Sequence, residues 1–513
     1  MSEIVSKSLQ KIAKGSAFVF IGTIVSLLLG FLARIIMVRF STQSEYGVFS
    51  LSLTIISICT TVSALGLEEG ATRYIAYLRG KNEKNDVQDT ISSSIIIVLM
   101  ASILVTALIY FASDFLAMRV FHDPNISFVL QIMAISIPFA VLINLIVSIF
   151  RGFDKASIKV YFGNILRPGV YLLLLLIVVF FNRSFVEMVS TYVISLLITF
   201  LILIAYFIKN SPIEIILRKG RVNYHTKSLL RFSIPLLIVS LLLAVMSWTD
   251  TLMLGFFKTT ETVAAYSAAY PLANLLSPGI NSIGLLYVPI ISYMYSKNNI
   301  KDIGTLNESS TKWCFIITLP IFFILFVFPE FTLNLFYGSQ YIKASSVLQI
   351  LSLGFIVNSF FGLNYYTLTA IGKSRLLMNC SLISAASNII LNLILIPPFG
   401  MFGAAIASAI SFTLIEIYMT LRLYKFLKIH PFTQKYVRFT ILATLLIAVF
   451  YIFRNLFIQT LWTVSIVYIL FLVTYSMSIL ITNSLDIEDK KILIQIEEKI
   501  ITNFPIIKKF INI

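Results

Sequence analysis

Cysteine and histidine are nearly absent from this 513-residue chain, with three of each. Scattered as they are, they make neither a disulfide scaffold nor a Cys/His zinc cluster. Charge is scarce too, at 12% of residues, and the 23 acids are outnumbered by 39 bases. Long polar stretches are missing. The loops between apolar runs reach about 20 residues, too short to set out the carboxylates, histidines or metal ligands of a membrane glycosyltransferase or sugar polymerase. The sequence has no Walker A loop and no HExxH. An enzyme is therefore not expected, nor a resident cofactor or metal.

What the chain has is apolar residues, 58% of its length. A membrane helix needs about 20 of them in a row, so the composition predicts an all-α polytopic membrane protein. Span-length runs fall near 15–38, 44–67, 91–113, 127–150, 158–181 and 187–208. Others lie near 232–256, 262–296, 313–336, 345–369, 376–398, 400–424, 438–457 and 461–482, for about 14 transmembrane helices in all. The run 262–296 reads as one long tilted helix, or as two segments meeting at Pro278 and Gly279; a split would reverse every later loop, which favours one helix. The first run lacks a small-residue cleavage site and is expected to stay as the first helix.

With the N-terminus placed in the cytoplasm, about 31 Lys or Arg fall inside and about 6 outside, as the positive-inside rule expects. The formal net charge of +16 then needs no nucleic-acid partner. Both termini are expected in the cytoplasm of a prokaryotic cell, with the protein in the cell membrane among its lipids.

Shifting the chain on itself by about 217 residues aligns Met37 with Met253, Phe40 with Phe256, Glu45 with Glu261, and Gly66-Leu67 with Gly284-Leu285. Order persists over about 120 residues and joins the starts of two six-span halves. Six is even, so both halves insert in one direction and a pseudo-twofold along the membrane normal is expected. The resulting organisation is an N-terminal six-helix bundle (1–208), a basic cytoplasmic linker (209–231), a C-terminal six-helix bundle (232–428), two additional helices (429–484) and a tail (485–513). The tail carries Ile492, Leu493, Ile496 and Ile500 at helical spacing and reads as an amphipathic cytoplasmic helix, lying on the membrane or on the protein's own loops.

The motifs LGLEEGATRYIAYLRG, SWTDTLMLGFF, ETVAAYSAAYPLANLL and LTAIGKSR, in that order on this span pattern, resemble the polysaccharide flippases of the multidrug/oligosaccharidyl-lipid/polysaccharide (MOP) exporter superfamily, related to MATE and MurJ-type transporters. The resemblance covers roughly 8–482. It implies two six-helix bundles around a V-shaped cavity and alternating access that moves a lipid-linked oligosaccharide across the membrane. It does not name the sugar.

Ionisable groups inside spans are the candidate site, because each costs about 2.5–3.5 kcal/mol on insertion scales unless paired or hydrated. Arg34, near the end of the first span, either snorkels to headgroups or faces the cavity. Arg167 lies deep in the fifth span before Pro168 and Gly169 and suits a substrate phosphate, with a structural ion pair as the alternative. Asp250 sits at the repeat position of Arg34: the two either pair across the pseudo-twofold, or Asp250 couples H⁺ or Na⁺ to the conformational cycle. Glu416 reads as a solvated or Lys-paired group before an ion site. Glu68, Glu69 and Arg73 form a helix-end charge cluster or a salt-bridged cytoplasmic gate. Asn388 and Asn392 read as interhelical hydrogen-bonders, and Tyr365 and Tyr366 as core residues or a sugar platform.

A phosphate-linked sugar cannot shed its water in hydrocarbon unaided. The resemblance implies a flippase for a polyprenyl-(pyro)phosphate-linked oligosaccharide, expected to work as a monomer, and the positive charge of Arg34 and Arg167 agrees with it. A MATE-like cation-coupled antiporter is the nearest alternative, though it calls for acids where this N-terminal half places arginines.

Overall fold

A computed structural model describes residues 3–155, 157–210, 224–456, 458–482 and 484. Most of the 209–231 linker and the whole 485–513 tail lie outside the described residues. Nineteen α-helices follow one another among the described residues. They are α1 (Glu3–Arg39), α2 (Gln43–Ser63), α3 (Leu67–Gly80), α4 (Lys84–Phe115), α5 (Asn125–Ala134), α6 (Ser136–Gly152), α7 (Arg167–Phe180), α8 (Phe185–Asn210) and α9 (Tyr224–Phe257). They continue with α10 (Thr260–Ala273), α11 (Pro278–Ser296), α12 (Ile300–Val327), α13 (Pro329–Tyr337), α14 (Ser345–Phe361) and α15 (Asn364–Ala370). The last are α16 (Ser374–Phe399), α17 (Met401–Leu427), α18 (Gln434–Phe453) and α19 (Leu461–Ile481). Helix starts use side-chain caps: Thr42 and Glu45 form a capping box at α2, and Thr433 and Thr460 cap α18 and α19. Asn82, Asn182 and Asn298 take positive φ just beyond α3, α7 and α11, where short polar side chains tolerate the left-handed turn.

Twelve of the described helical segments are long and apolar enough to cross a membrane, and the count reaches thirteen with a bent pair taken as one span. Helix α9, 34 residues long, covers the expected seventh span. The bent pair is the ambiguous run 262–296: α10 and its 3₁₀ extension meet α11 at 42°. Pro278 has no N–H to continue the ladder, so the helix breaks where the proline lies.

Two compact units divide the chain. The first gathers the described parts of Met1–Tyr270 with Phe336–Val347 and Ser381–Ser411, the second Pro271–Leu335, Leu348–Cys380 and the described parts of Phe412–Ile513. The division differs from the two halves of the repeat. Within the first unit α2 packs along α9, and a Cβ on Gly47 would come within 1.9 Å of the Thr260 carbonyl oxygen. Ser44 and Thr260, 216 residues apart and equivalent in the repeat, bring their hydroxyls to 3.2 Å. The first unit's core includes Leu67, Ile75, Ile137, Leu145 and Phe150, all without exposed surface. The second unit is centred on Ile291, Ile303, Cys314, Leu363, Leu368 and Leu423, also fully enclosed. Leu104, Leu108 and Phe111 on α4 and Trp462 and Ile466 on α19 stand exposed, as lipid-facing residues do.

Candidate functional site

Arg167 is placed by a local backbone irregularity. Lys159–Leu166 is a π-helical stretch, and the Arg167 N–H reaches back to the Phe162 carbonyl. Pro168 follows, and its missing N–H leaves room for the wider turn. Arg167 is half-buried and its guanidinium donates to the Tyr192 hydroxyl on α8 at 3.4 Å. Tyr171, one turn further along α7, meets Tyr192 edge to face at 5.8 Å. On the other side, Arg34 of α1, also half-buried, is within electrostatic reach of Tyr171 and of Tyr337 at the end of α13. Tyr337 in turn contacts Tyr341, and Tyr341 contacts Tyr46 on α2.

The two arginines singled out from the sequence thus lie in one unit near the same tyrosines, with Arg167 alone bonded to one of them. No described carboxylate forms an ion pair with either of them. Fixed cations beside flat aromatic faces can take a phosphate and the apolar face of a sugar ring. The tyrosines were not singled out from the sequence. Tyr171 was within reach, since it lies four residues after Arg167 on the same helical face, but Tyr192 and Tyr337 carry no local signal.

Asp250, on α9, is 1% exposed and fully served by hydrogen bonds. Its Oδ1 accepts from Asn392 Nδ2 at 2.6 Å and Asn388 Nδ2 at 3.2 Å. Its Oδ2 accepts from Ser408 Oγ at 2.5 Å and from the Tyr266 hydroxyl. Four helices thus converge on one carboxylate: α9, α10, α16 and α17. The expected pairing of Asp250 with Arg34 is corrected, because neutral donors occupy both oxygens and no ion pair joins the two among the described residues. Asn388 and Asn392 do bond between helices, as read, and their common target is this acid. Asn392 Oδ1 is buried with no donor of its own.

Glu416 needs a larger correction. It is 2% exposed, and instead of water or lysine its Oε1 accepts from Asn358 Nδ2 at 2.8 Å. The triad Glu68, Glu69 and Arg73 is not a closed cluster. Glu69 forms a two-pronged pair with Arg151, 3.2 and 3.0 Å, while Glu68 faces the Asn144 amide and Arg73 lies 4.2 Å over the Phe232 ring. Leu65 and Gly66, both at positive φ, turn the chain between α2 and α3. That turn aims the three side chains at different neighbours. Tyr366 donates to Asn281 Oδ1 at 2.9 Å, and its neighbour Tyr365 stands partly exposed.

Membrane-crossing helices with internal breaks, buried acids and half-buried arginines define the class: a polytopic helical transporter. The chain belongs to the Polysaccharide biosynthesis protein family, whose model matches residues 12–295. A MatE model matches 235–394, and the fold and relatives together place the protein in the MOP superfamily.

An uncharacterized membrane protein of Methanocaldococcus jannaschii is 24% identical over 83% of this chain and 86% of its own length. The putative O-antigen transporter of Shigella flexneri is 25% identical over 74% of this chain and 89% of its own. The probable low-salt glycan biosynthesis flippase Agl15 of Haloferax volcanii is 32% identical over 32% of this chain and 35% of its own. Among solved structures, the lipid II flippase MurJ in an inward closed conformation superposes with a TM-score of 0.72 at 15% identity, covering 91% of this chain and 98% of that one. An inward-facing MATE family multidrug transporter gives 0.68 at 18%, covering 78% and 94%. At these identities the structures establish the fold.

Proposed function

We propose that this protein flips a polyprenyl-(pyro)phosphate-linked oligosaccharide from the cytoplasmic to the outer leaflet, with both termini in the cytoplasm. The observation that carries the proposal is the pair of half-buried arginines, Arg34 and Arg167, near Tyr171 and Tyr192 and lacking a carboxylate partner among the described residues. A cation left without an internal counter-charge in a membrane span is stabilised when an anion arrives. Arg167 offers a phosphate its planar fork, and the tyrosines offer the adjoining sugar their faces. The lipid tail stays in the bilayer, where its hydrocarbon needs no polar partner. The names of the Haloferax and Shigella relatives agree with this reading.

The cycle is driven at Asp250. Ser408, Tyr266, Asn388 and Asn392 each carry an oxygen as well as the hydrogen they now donate. Turning the hydroxyls and amides would present an oxygen-lined shell with one negative charge to Na⁺ or H⁺. A cation-coupled antiporter, favoured by the MatE match and by a probable multidrug resistance protein NorM of Oceanobacillus iheyensis, 28% identical over 38% of this chain, is the second reading.

Deletion in the native host separates the two readings. The flippase reading expects a lipid-linked glycan to accumulate on the cytoplasmic face. Complementation with Arg167→Ala should leave the accumulation in place at normal protein abundance, and Arg167→Lys should relieve it in part, because charge survives without the fork. No accumulated glycan, with altered drug resistance instead, would favour the antiporter. If Arg167 were half of a structural pair, Arg167→Ala would lose several kcal/mol and its abundance would fall.

A further inference from the structure

Asp250 leaves a second buried carboxyl group unused. Glu416 lies in the second unit, on α17, against the place where the tenth span is interrupted. Helix α14 ends at Phe361, Gly362 takes φ +81, and α15 begins at Asn364. The break is tightly packed: a Cβ on Gly362 would come within 2.0 Å of Thr311 Oγ1. Breaks of this kind inside a membrane bundle free polar groups that need new partners.

Most of them find one. Gly362 N–H bonds to the Asn358 carbonyl at 2.9 Å, and Tyr436 donates to the Phe360 carbonyl at 2.8 Å. Asn364 Nδ2 donates both to the Phe361 carbonyl and to Thr420 Oγ1, which fixes the orientation of that amide. Thr420 Oγ1 donates back to the Glu416 carbonyl at 2.8 Å. Three polar atoms at the break remain unserved: Glu416 Oε2, Asn364 Oδ1 and Thr311 Oγ1 are buried with no hydrogen-bond partner. Glu416 Oε1 already takes the Asn358 amide. The other groups facing this cluster are Asn364 on α15, the Cys380 thiol on α16 and, further along α17, Arg422, whose charge is felt at Cys380. No ion pair to Glu416 occurs among the described residues.

We infer that Glu416 is a proton-binding site at the α14–α15 break, separate from the cation site at Asp250, with the proton carried on Oε2. The orphaned oxygen is the reason. An ionised carboxylate here would keep Oε2 buried among neutral groups without a donor of its own, whereas one proton from hydronium removes the charge and turns an unserved acceptor into a donor. Release of that proton would place a bare charge beside the interrupted span, so occupancy of the site governs whether the break stays packed.

Glutamine is the diagnostic substitution because its amide reproduces the neutral acid, a carbonyl oxygen for Asn358 and an N–H where the proton sat. Infrared spectra of the full chain in lipid nanodiscs at neutral pH should show a protonated-carboxyl stretch that moves in D₂O, is missing in Glu416→Gln and persists in Asp250→Asn. Glu416→Gln should also melt at the wild-type temperature. A wild-type-minus-Glu416→Gln spectrum with only carboxylate bands would overturn the proposal. So would a protonated band that vanishes on adding sodium at fixed pH, which would mark a metal-cation site, or a Glu416→Gln protein that fails to fold. The measurement needs no transport assay, so its failure is distinct from failure of the flippase reading.

Discussion

An acid sunk in a membrane bundle keeps its charge only if something answers it, and Asp250 is answered entirely by neutral donors. Such a shell lets a cation in without first breaking a salt bridge. Sodium that binds only the folded state should raise stability by the usual linkage, about 2.7 kcal/mol at a hundred times its dissociation constant. The wild-type melting temperature should thus rise when sodium replaces choline at constant ionic strength. Asp250→Asn should abolish the rise. Asp250→Ala should also lower the baseline, since each stranded buried donor costs about 1–3 kcal/mol. A wild type insensitive to sodium but stabilised by acid, with Asp250→Asn insensitive to both, would leave the proton as the driving ion. Insensitivity of all three would remove Asp250 from coupling.

At the scale of elements, the spans and their order were legible because apolar run length is a one-dimensional signal. Arg34 and Arg167 were legible for the same reason, as charges inside such runs. What answers those charges was not. The donors around Asp250 lie 16 to 158 residues away along the chain, and no periodicity connects them. The span interruptions were half legible. Pro278 announced one break, whereas the turns at Leu65–Gly66 and Gly362 depend on positive φ at positions that look like ordinary helix interior.

Gly66 tests how much such a break matters. Its φ is +69, and a Cβ there would sit 2.1 Å from the Ser233 carbonyl and 2.8 Å from the Leu237 nitrogen on α9. Both obstacles are backbone and cannot swing aside. Gly66→Ala should lose at least about 2 kcal/mol, the left-handed strain of about 1–2 kcal/mol plus the separation of α3 from α9. Gly372 has a similar φ of +75 but nothing within 4 Å, so Gly372→Ala should show strain alone. Equal melting temperatures for the two variants would mean that the α3–α9 contact contributes little.

On the scale of the whole molecule, alternating access demands that the contacts of α2 and α3 with the seventh and eighth spans open in turn at their two ends. At one end Ser44 touches Thr260, its repeat equivalent, at 3.2 Å. At the other a Cβ on Gly70 would lie 2.0 Å from Ser233 Oγ. Cysteine pairs at these positions, in a chain with Cys59, Cys314 and Cys380 replaced, are two independent locks. If the ends alternate, oxidising the 44–260 pair should stop flipping while impermeant thiol reagents still reach a cysteine at position 82 from the cytoplasmic side and one at 258 only from outside. Oxidising the 70–233 pair should stop flipping equally, and reduction should restore both. A fully oxidised lock at either end with an unchanged rate of flipping would mean that substrate passes without that end opening, and the rocking of the two halves would have to be abandoned.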